Sequence, residues 1–257
     1  MTKTLSGKLA LVTGSSRGIG RAIAEKLASE GATVAVHYGK NGAAAAEVVE
    51  GIKAKGGDAF AIGADLTEKG AAAKIFKAFD AEAAKRGKSH FDILVNNAGI
   101  APFVGFAETT EAILDEIYAV NFKSLFFITQ EAVKRLNDGG RIISTSTVAV
   151  RTPLGAVAAY SALKAPLDNL TKTLAVDLGP RGITVNAVSP GVIATDMAAE
   201  FVQSAEGQEF AKSKQALKRI GTAEDVADVV GFLAGPASRW VTGEVIEVGG
   251  GSSLTFA

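Results

Sequence analysis

Short apolar runs alternate with helix-length amphipathic stretches along the whole of this chain, and no other feature restricts its fold as strongly. The runs cover residues 9–12, 33–36, 59–62, 93–95, 142–143, 183–188 and 245–248. Between them lie 19–29, 43–54, 71–85, 110–136 and 158–178, each with apolar residues at helical spacing. Strands that are apolar throughout, each followed by a helix, predict a parallel sheet covered on both faces. Right-handed crossovers then favour a doubly wound, seven-stranded α/β Rossmann fold. No Pro/Ser-rich linker or repeat divides the chain, so residues 1–257 read as one domain. Pro166 falls inside the 158–178 pattern, where it removes the bond to the Ala162 carbonyl and should kink the helix.

Composition narrows the chemistry. Hydrophobic residues at 47% and charged residues at 21% suffice for a sizeable core. The 27 basic and 27 acidic residues cancel, which suits neither a nucleic-acid stripe nor an acidic tail and does little to oppose self-association. There is no cysteine, so thiol catalysis, disulfides and cysteine metal sites are excluded. No apolar run reaches the roughly 18 residues of a membrane span, and a cytoplasmic location is expected. The 2 histidines, His37 and His90, have no neighbour at metal or triad spacing. No metal is expected, and proton chemistry must fall to Tyr, Lys or carboxylates.

The first strand leads into "TGSSRGIGRAIAEKLA", where Gly14, Gly18 and Gly20 mark a sharp turn into a helix whose N-terminal amides can face a phosphate. Ser16, Arg17 and Ile19 complete this turn. His37, Tyr38 and Lys40 close the second strand, at the ribose end of a bound dinucleotide, and are placed among the cofactor contacts. His37 taken alone reads as a strand-end polar residue. No acid lies between Glu30 and Glu47, where a carboxylate would bind the NAD ribose. Arg17 and Lys40 could instead pair with a 2′-phosphate, so NADP(H) is the expected cofactor.

Tyr160 and Lys164 in "AAYSALKAPL" stand four apart, on one face of a helix. A neighbouring ammonium should lower the tyrosine pKa from about 10 toward a working range. With "TGSSRGIG", "NNAG", "VNFKS", "YSALK" and "NAVSPGVIATDM" in this order, the chain resembles the short-chain dehydrogenase/reductases from about residue 8 to about residue 251. It looks most similar to bacterial 3-oxoacyl-acyl-carrier-protein reductases and related NADP(H)-dependent ketone reductases.

The resemblance implies roles. Tyr160 is the general acid/base, and Lys164 bonds the nicotinamide ribose and tunes the tyrosine. Asn121 distorts its helix to hold a relay water. Asp65, with Leu66 beside it, lies at the adenine ring, and Asn97, Ala98 and Gly99 over the adenosine ribose. Pro190, Gly191, Ile193 and Thr195 position the nicotinamide. The family's substrate-orienting serine falls on Thr147 here, and Ser146, one residue away on an extended strand, should face the opposite side. A lid over about residues 193–217, carrying Phe201, Val202, Phe210 and Leu217, should cover the substrate.

Reduction of a ketone or aldehyde, or the reverse oxidation, is the expected activity. The alternatives are carrier-linked 3-oxoacyl reduction and a non-catalytic NADP(H)-sensing protein. Arg181 matches a carrier-docking arginine, but Asp138 stands where a second basic residue is needed, which disfavours an acidic carrier. The resemblance also implies a homotetramer built on the 110–136 and 158–178 helices and the 221–251 end, with the run Leu163, Leu167, Leu170 and Leu174 offering apolar area.

Overall fold

Leu9–Val12, buried along its whole length, forms β1 of a computed structural model that describes residues 3–152, 154–252 and 254, the side chain of Glu200 apart. The two ends of the expected 1–257 domain therefore lie outside the described residues. β2 (Thr33–Tyr38), β3 (Asp58–Gly63), β4 (Phe91–Asn96), β5 (Leu136–Thr145), β6 (Thr184–Pro190) and β7 (Val245–Val248) join β1 in one seven-stranded sheet. Every neighbouring pair is parallel, in the order β3-β2-β1-β4-β5-β6-β7. β4 and β6, like β1, are buried throughout, as strands covered on both faces must be. The chain starts mid-sheet, runs out to β3, then returns past β1 to β4. That reversal opens a crevice beyond the carboxyl ends of the strands.

The helices are α1 (Gly18–Ser29), α2 (Gly42–Ala54), α3 (Ala71–Lys85), α4 (Glu111–Tyr118), α5 (Ser124–Val133), α6 (Ala158–Leu178), α7 (Ala199–Gln203), α8 (Ala205–Lys214) and α9 (Ala223–Ala234). Ile23 and Leu27 of α1, Val48 of α2 and Val226 of α9 pack with Val12, Val34 and Val95 on one face. Ile75, Phe76 and Phe79 of α3, Ile128 of α5 and Leu178 of α6 pack with Leu11, Leu94 and Val185 on the other. Phe79 makes tilted or edge contacts with Phe60, Phe76 and Phe91 at centroid distances of 6.1, 5.9 and 5.0 Å. Truncating it to alanine should cost about 3–5 kcal/mol, the usual range for a buried aromatic.

Two expectations are corrected. The stretch 110–136 is not one helix. A π-helical turn at Ala119–Lys123 separates α4 from α5, and residue 136 already belongs to β5. Apolar spacing cannot reveal a shift from i→i+4 to i→i+5 bonding. β5 also begins at Leu136 rather than 142, because "NDGG" hides it from a search for apolar runs. Its register against β4 shifts between Phe91 and Ile93. α6 runs as helix through Pro166, which lies on its exposed face.

Candidate active site

The crevice is built first by the turn after β1. Gly14 has φ +63, and a Cβ there would lie 2.7 Å from Ala98 Cα, so only glycine lets the two loops meet. The buried Thr13 hydroxyl accepts from the N–H groups of Asn97 and Ala98, at 3.0 and 3.1 Å. Asn97 Nδ2 returns two bonds, each 3.1 Å, to the Thr13 and Gly14 carbonyls. Ser15 Oγ donates to the Val12 carbonyl. Sequence reasoning missed Thr13; the polar residue closing an apolar strand was the available signal. Arg17 takes the N-cap of α1 with no side-chain cap, and the first turn carries no acid. The helix N-terminus therefore keeps its donor field for an anion.

His37 is not a ligand contact. It is buried, its Nδ1 accepts from Gly14 N–H at 3.1 Å, and its Nε2 meets the Ala64 carbonyl at 3.1 Å. Burial lowers its pKa to about 4, so it braces the glycine turn as a neutral ring. Leu66 and Ile193 are likewise buried in the two cores, and Ile19 packs partly against one, so these three shape the backbone of the site through packing.

Tyr38 lies over Gly42 and Gly63. Lys40 Nζ stands 3.6 Å from Asp65, and Arg17 stands 3.9 Å from Asp196. These pairs are exposed and worth about 0–1 kcal/mol, so a phosphate could displace either carboxylate. Asp65 is held below the usual carboxylate range by the backbone and hydroxyl of Thr67 and by Lys40. Pro190 closes β6, Gly191 N–H donates to the Val248 carbonyl at 3.1 Å, and Thr195 lies against Gly18.

The residues expected to handle protons come together from three elements. Lys164, buried on α6, donates from Nζ to the Thr145 carbonyl at the end of β5, 2.7 Å away. Desolvation pushes it down to about 8. Tyr160 goes the opposite way from the sequence expectation. Burial raises its pKa, and a hydrogen bond to Thr147 only partly offsets this. Asn121, fully buried in the π-turn, pairs twice with the backbone of Ile100. It accepts from the Ile100 N–H and donates to its carbonyl, each at 2.8 Å. A Cβ on Gly99 would lie 3.3 Å from Asn121 Oδ1 and 3.5 Å from Lys164 Nζ, so this loop runs directly over both. Thr147, on extended backbone past β5, accepts from Ala149 N–H at 3.2 Å and keeps its own O–H to donate. Ser146 does face away, donating to Asp168.

Comparison with known proteins shows the family. A family model described as enoyl-(acyl carrier protein) reductase matches residues 14–253. Versicolorin reductase 1 of Aspergillus parasiticus is 42% identical over 261 residues, which cover 96% of this chain and 97% of that one. The chain belongs to the short-chain dehydrogenase/reductase family. Two solved reductases superpose closely. LugOII, which carries out keto-reduction at C1 during lugdunomycin biosynthesis, is 45% identical with a TM-score of 0.94, over 98% of this chain and 100% of its own. The angucycline C-6 ketoreductase LanV, solved with bound NADP, is 41% identical with a TM-score of 0.95, over 99% of both chains.

Elsewhere this short-chain reductase departs from what its sequence suggested. Arg181 is engaged by Asp138 at 2.8 Å and by the carbonyls of Val133 and Leu136, so it is not a free docking cation. The segment after β6, expected to form a lid, comprises a short 3-10 turn, Asp196–Ala198, then α7 and α8. Phe201 stacks on Phe103 of the loop after β4, with centroids 6.4 Å apart and planes 16° apart, and Phe210 meets Phe201 edge-on at 5.9 Å. A cavity of about 460 Å³ near the lid's end is lined by Gln215, Leu217, Arg219 and Glu247 among others. It lacks Tyr160, Lys164 and Thr147 and meets the expected cofactor segment at Ile193.

Proposed function

We propose that the protein is an NADP(H)-dependent carbonyl reductase that converts a ketone or aldehyde to an alcohol, or runs the reverse reaction. The carrying observation is the meeting of Tyr160, Lys164, Asn121 and Thr147 at the carboxyl edge of β4 and β5. The glycine turn and the uncapped α1 N-terminus would hold the cofactor's phosphates, Lys164 its nicotinamide ribose, and Arg17 and Lys40 its 2′-phosphate. NADP bound in LanV and the absence of an acid after β2 support that choice. When bound, the cofactor supplies the hydride.

This chain's residues handle the oxygen. Thr147 donates a hydrogen bond that holds the carbonyl. Tyr160, protonated at neutral pH, gives its proton to the oxygen as charge develops there. Lys164, largely charged below pH 8, stabilises the phenolate that remains. Asn121 keeps the π-turn open for a water that returns the proton.

A flat, fused-ring aromatic ketone is the substrate class favoured. Phe103, Phe201 and Phe210 form a ring cluster that joins the segment after β6 to the loop after β4. Phe103 is three residues from Ile100, hence within about 11 Å of it along the chain. The relatives' names, versicolorin reductase and angucycline C-6 ketoreductase, support a ketone as the group reduced. The engagement of Arg181 by Asp138 speaks against an acidic carrier protein.

A homotetramer in the cytoplasm completes the reading. Its support is apolar surface on the outer helices, where Leu114, Tyr118, Phe126 and Phe127 are exposed, together with Val176 at 81%. Titration with NADPH and NADH side by side, then NADPH oxidation against aromatic and aliphatic ketones, is the deciding experiment. Tight NADPH binding with no turnover on any ketone would favour a nucleotide sensor.

A further inference from the structure

Tyr160, Lys164 and Asp168 recur at four-residue steps along α6, so one face of the helix carries all three. The mechanism above uses the first two. Asp168 reaches toward the end of β5. Its Oδ1 accepts a 2.7 Å bond from the buried Ser146 hydroxyl, and its Oδ2 lies 3.9 Å from the Arg151 guanidinium. Thr147 lies between those two attachments, followed by the 3-10 turn Val148–Val150 that its own hydroxyl caps. One carboxylate on the tyrosine-bearing helix therefore holds Ser146 at one end of the segment that carries the substrate-orienting hydroxyl, with the Arg151 guanidinium nearby at the other.

Extended backbone explains why that grip matters. Thr147 has extended backbone, φ −163 and ψ 147, and its neighbour Ser146 bonds Asp168 while Thr147 bonds Tyr160, eight residues earlier on α6. Anchoring Ser146 fixes the chain end next to Thr147 and so the direction of the Thr147 hydroxyl. Resting on the carbonyl-reductase reading, we propose that Asp168 is a positioning residue. It ties Thr147 to α6 through Ser146 and Arg151, so that the distance between the Thr147 and Tyr160 hydroxyls is set by one helix rather than by the sheet. A hydroxyl-to-carboxylate bond suits this task because charge-assisted bonds are shorter and stronger than neutral ones.

The test is a double-variant cycle read in kcat on a ketone that the wild type reduces, with NADPH affinity and melting temperature measured alongside. Asp168→Ala and Ser146→Ala should each lower kcat by about tenfold or more, as small misplacements of reacting groups do, with NADPH affinity unchanged. The double variant should fall no further than Asp168→Ala alone, since that variant already cuts the Ser146 bond. Asp168→Asn, whose amide oxygen still accepts from Ser146, should recover most of the rate. A double variant that loses the product of the two single effects overturns the proposal, as does a loss confined to NADPH affinity. So does wild-type kcat in folded Ser146→Ala, the variant that decides if Asp168→Ala does not fold. A wild type that reduces no ketone removes the functional reading and this inference together; an active wild type with unaffected variants removes the inference alone.

Discussion

Lys164 is an ammonium held by a backbone carbonyl and pushed down to about 8 by burial. Below that value it carries its proton, and above it the charge that stabilises the Tyr160 phenolate disappears. For the reduction, kcat/KM should therefore be level at neutral pH and fall as pH rises through about 8. The limb should vanish in Lys164→Met, whose remaining activity should be low across the range. Tyr160→Phe should lose about 10²- to 10⁴-fold in kcat, the usual contribution of a general acid, while binding NADPH as before. Thr147 offers a cleaner contrast. Thr147→Ser keeps the hydroxyl and should stay within a few-fold of wild type, on the order of a conservative change. Thr147→Val keeps the shape without the donor and should fall sharply in steady-state turnover.

At the scale of elements, His37 shows how a strand braces a loop. Its ring links β2 to the glycine turn and to the residue after β3. Its folded pKa of about 4 is below the ordinary 6.5, so between those values the unfolded chain binds the extra proton. Stability is thus full above pH 6.5 and declines as pH falls toward 4. A shift of this size corresponds to about 3 kcal/mol. Urea denaturation at pH 7 and pH 5 should show a steeper loss in the wild type than in His37→Gln. The lid makes a separate claim. Phe201→Ala removes the ring shared by Phe103 and Phe210, and should raise KM for a fused-ring ketone far more than for a small aliphatic one. Equal effects on both would remove the aromatic wall from the substrate site.

For the whole molecule, the apolar surface is distributed differently from the leucine run. Leu167 is buried at 1%, and Leu174 packs against the core, so part of that stripe is used within the monomer. The exposed apolar groups instead follow Tyr118, Phe126 and Phe127, with Phe122 ring-to-ring between Tyr118 and Phe126. A neutral chain lacks the self-repulsion that would hold copies apart. Light scattering at micromolar concentration should find a tetramer, and a Phe126→Glu, Phe127→Glu variant should shift it to smaller species. A wild-type monomer would contradict the proposed assembly.

Strand number, parallel order and the position of the cofactor turn were legible in the sequence because each depends on local pattern. An apolar run must be buried on both faces, and a glycine cluster between strand and helix permits one kind of turn. Tyr160 with Lys164 was legible for the same reason, since four-residue spacing on a helix is geometry. The tertiary structure alone decided what depends on non-local contact and desolvation. It made His37 a brace by placing it between two loops, raised the pKa of Tyr160 through burial where adjacency suggested the reverse, and gave the distortion that the resemblance implied at Asn121 its form, a π-helical turn over Ala119–Lys123. Spacing along α6 would have admitted Asp168, but only the packing of that helix against the end of β5 gave its carboxylate a hydroxyl to hold.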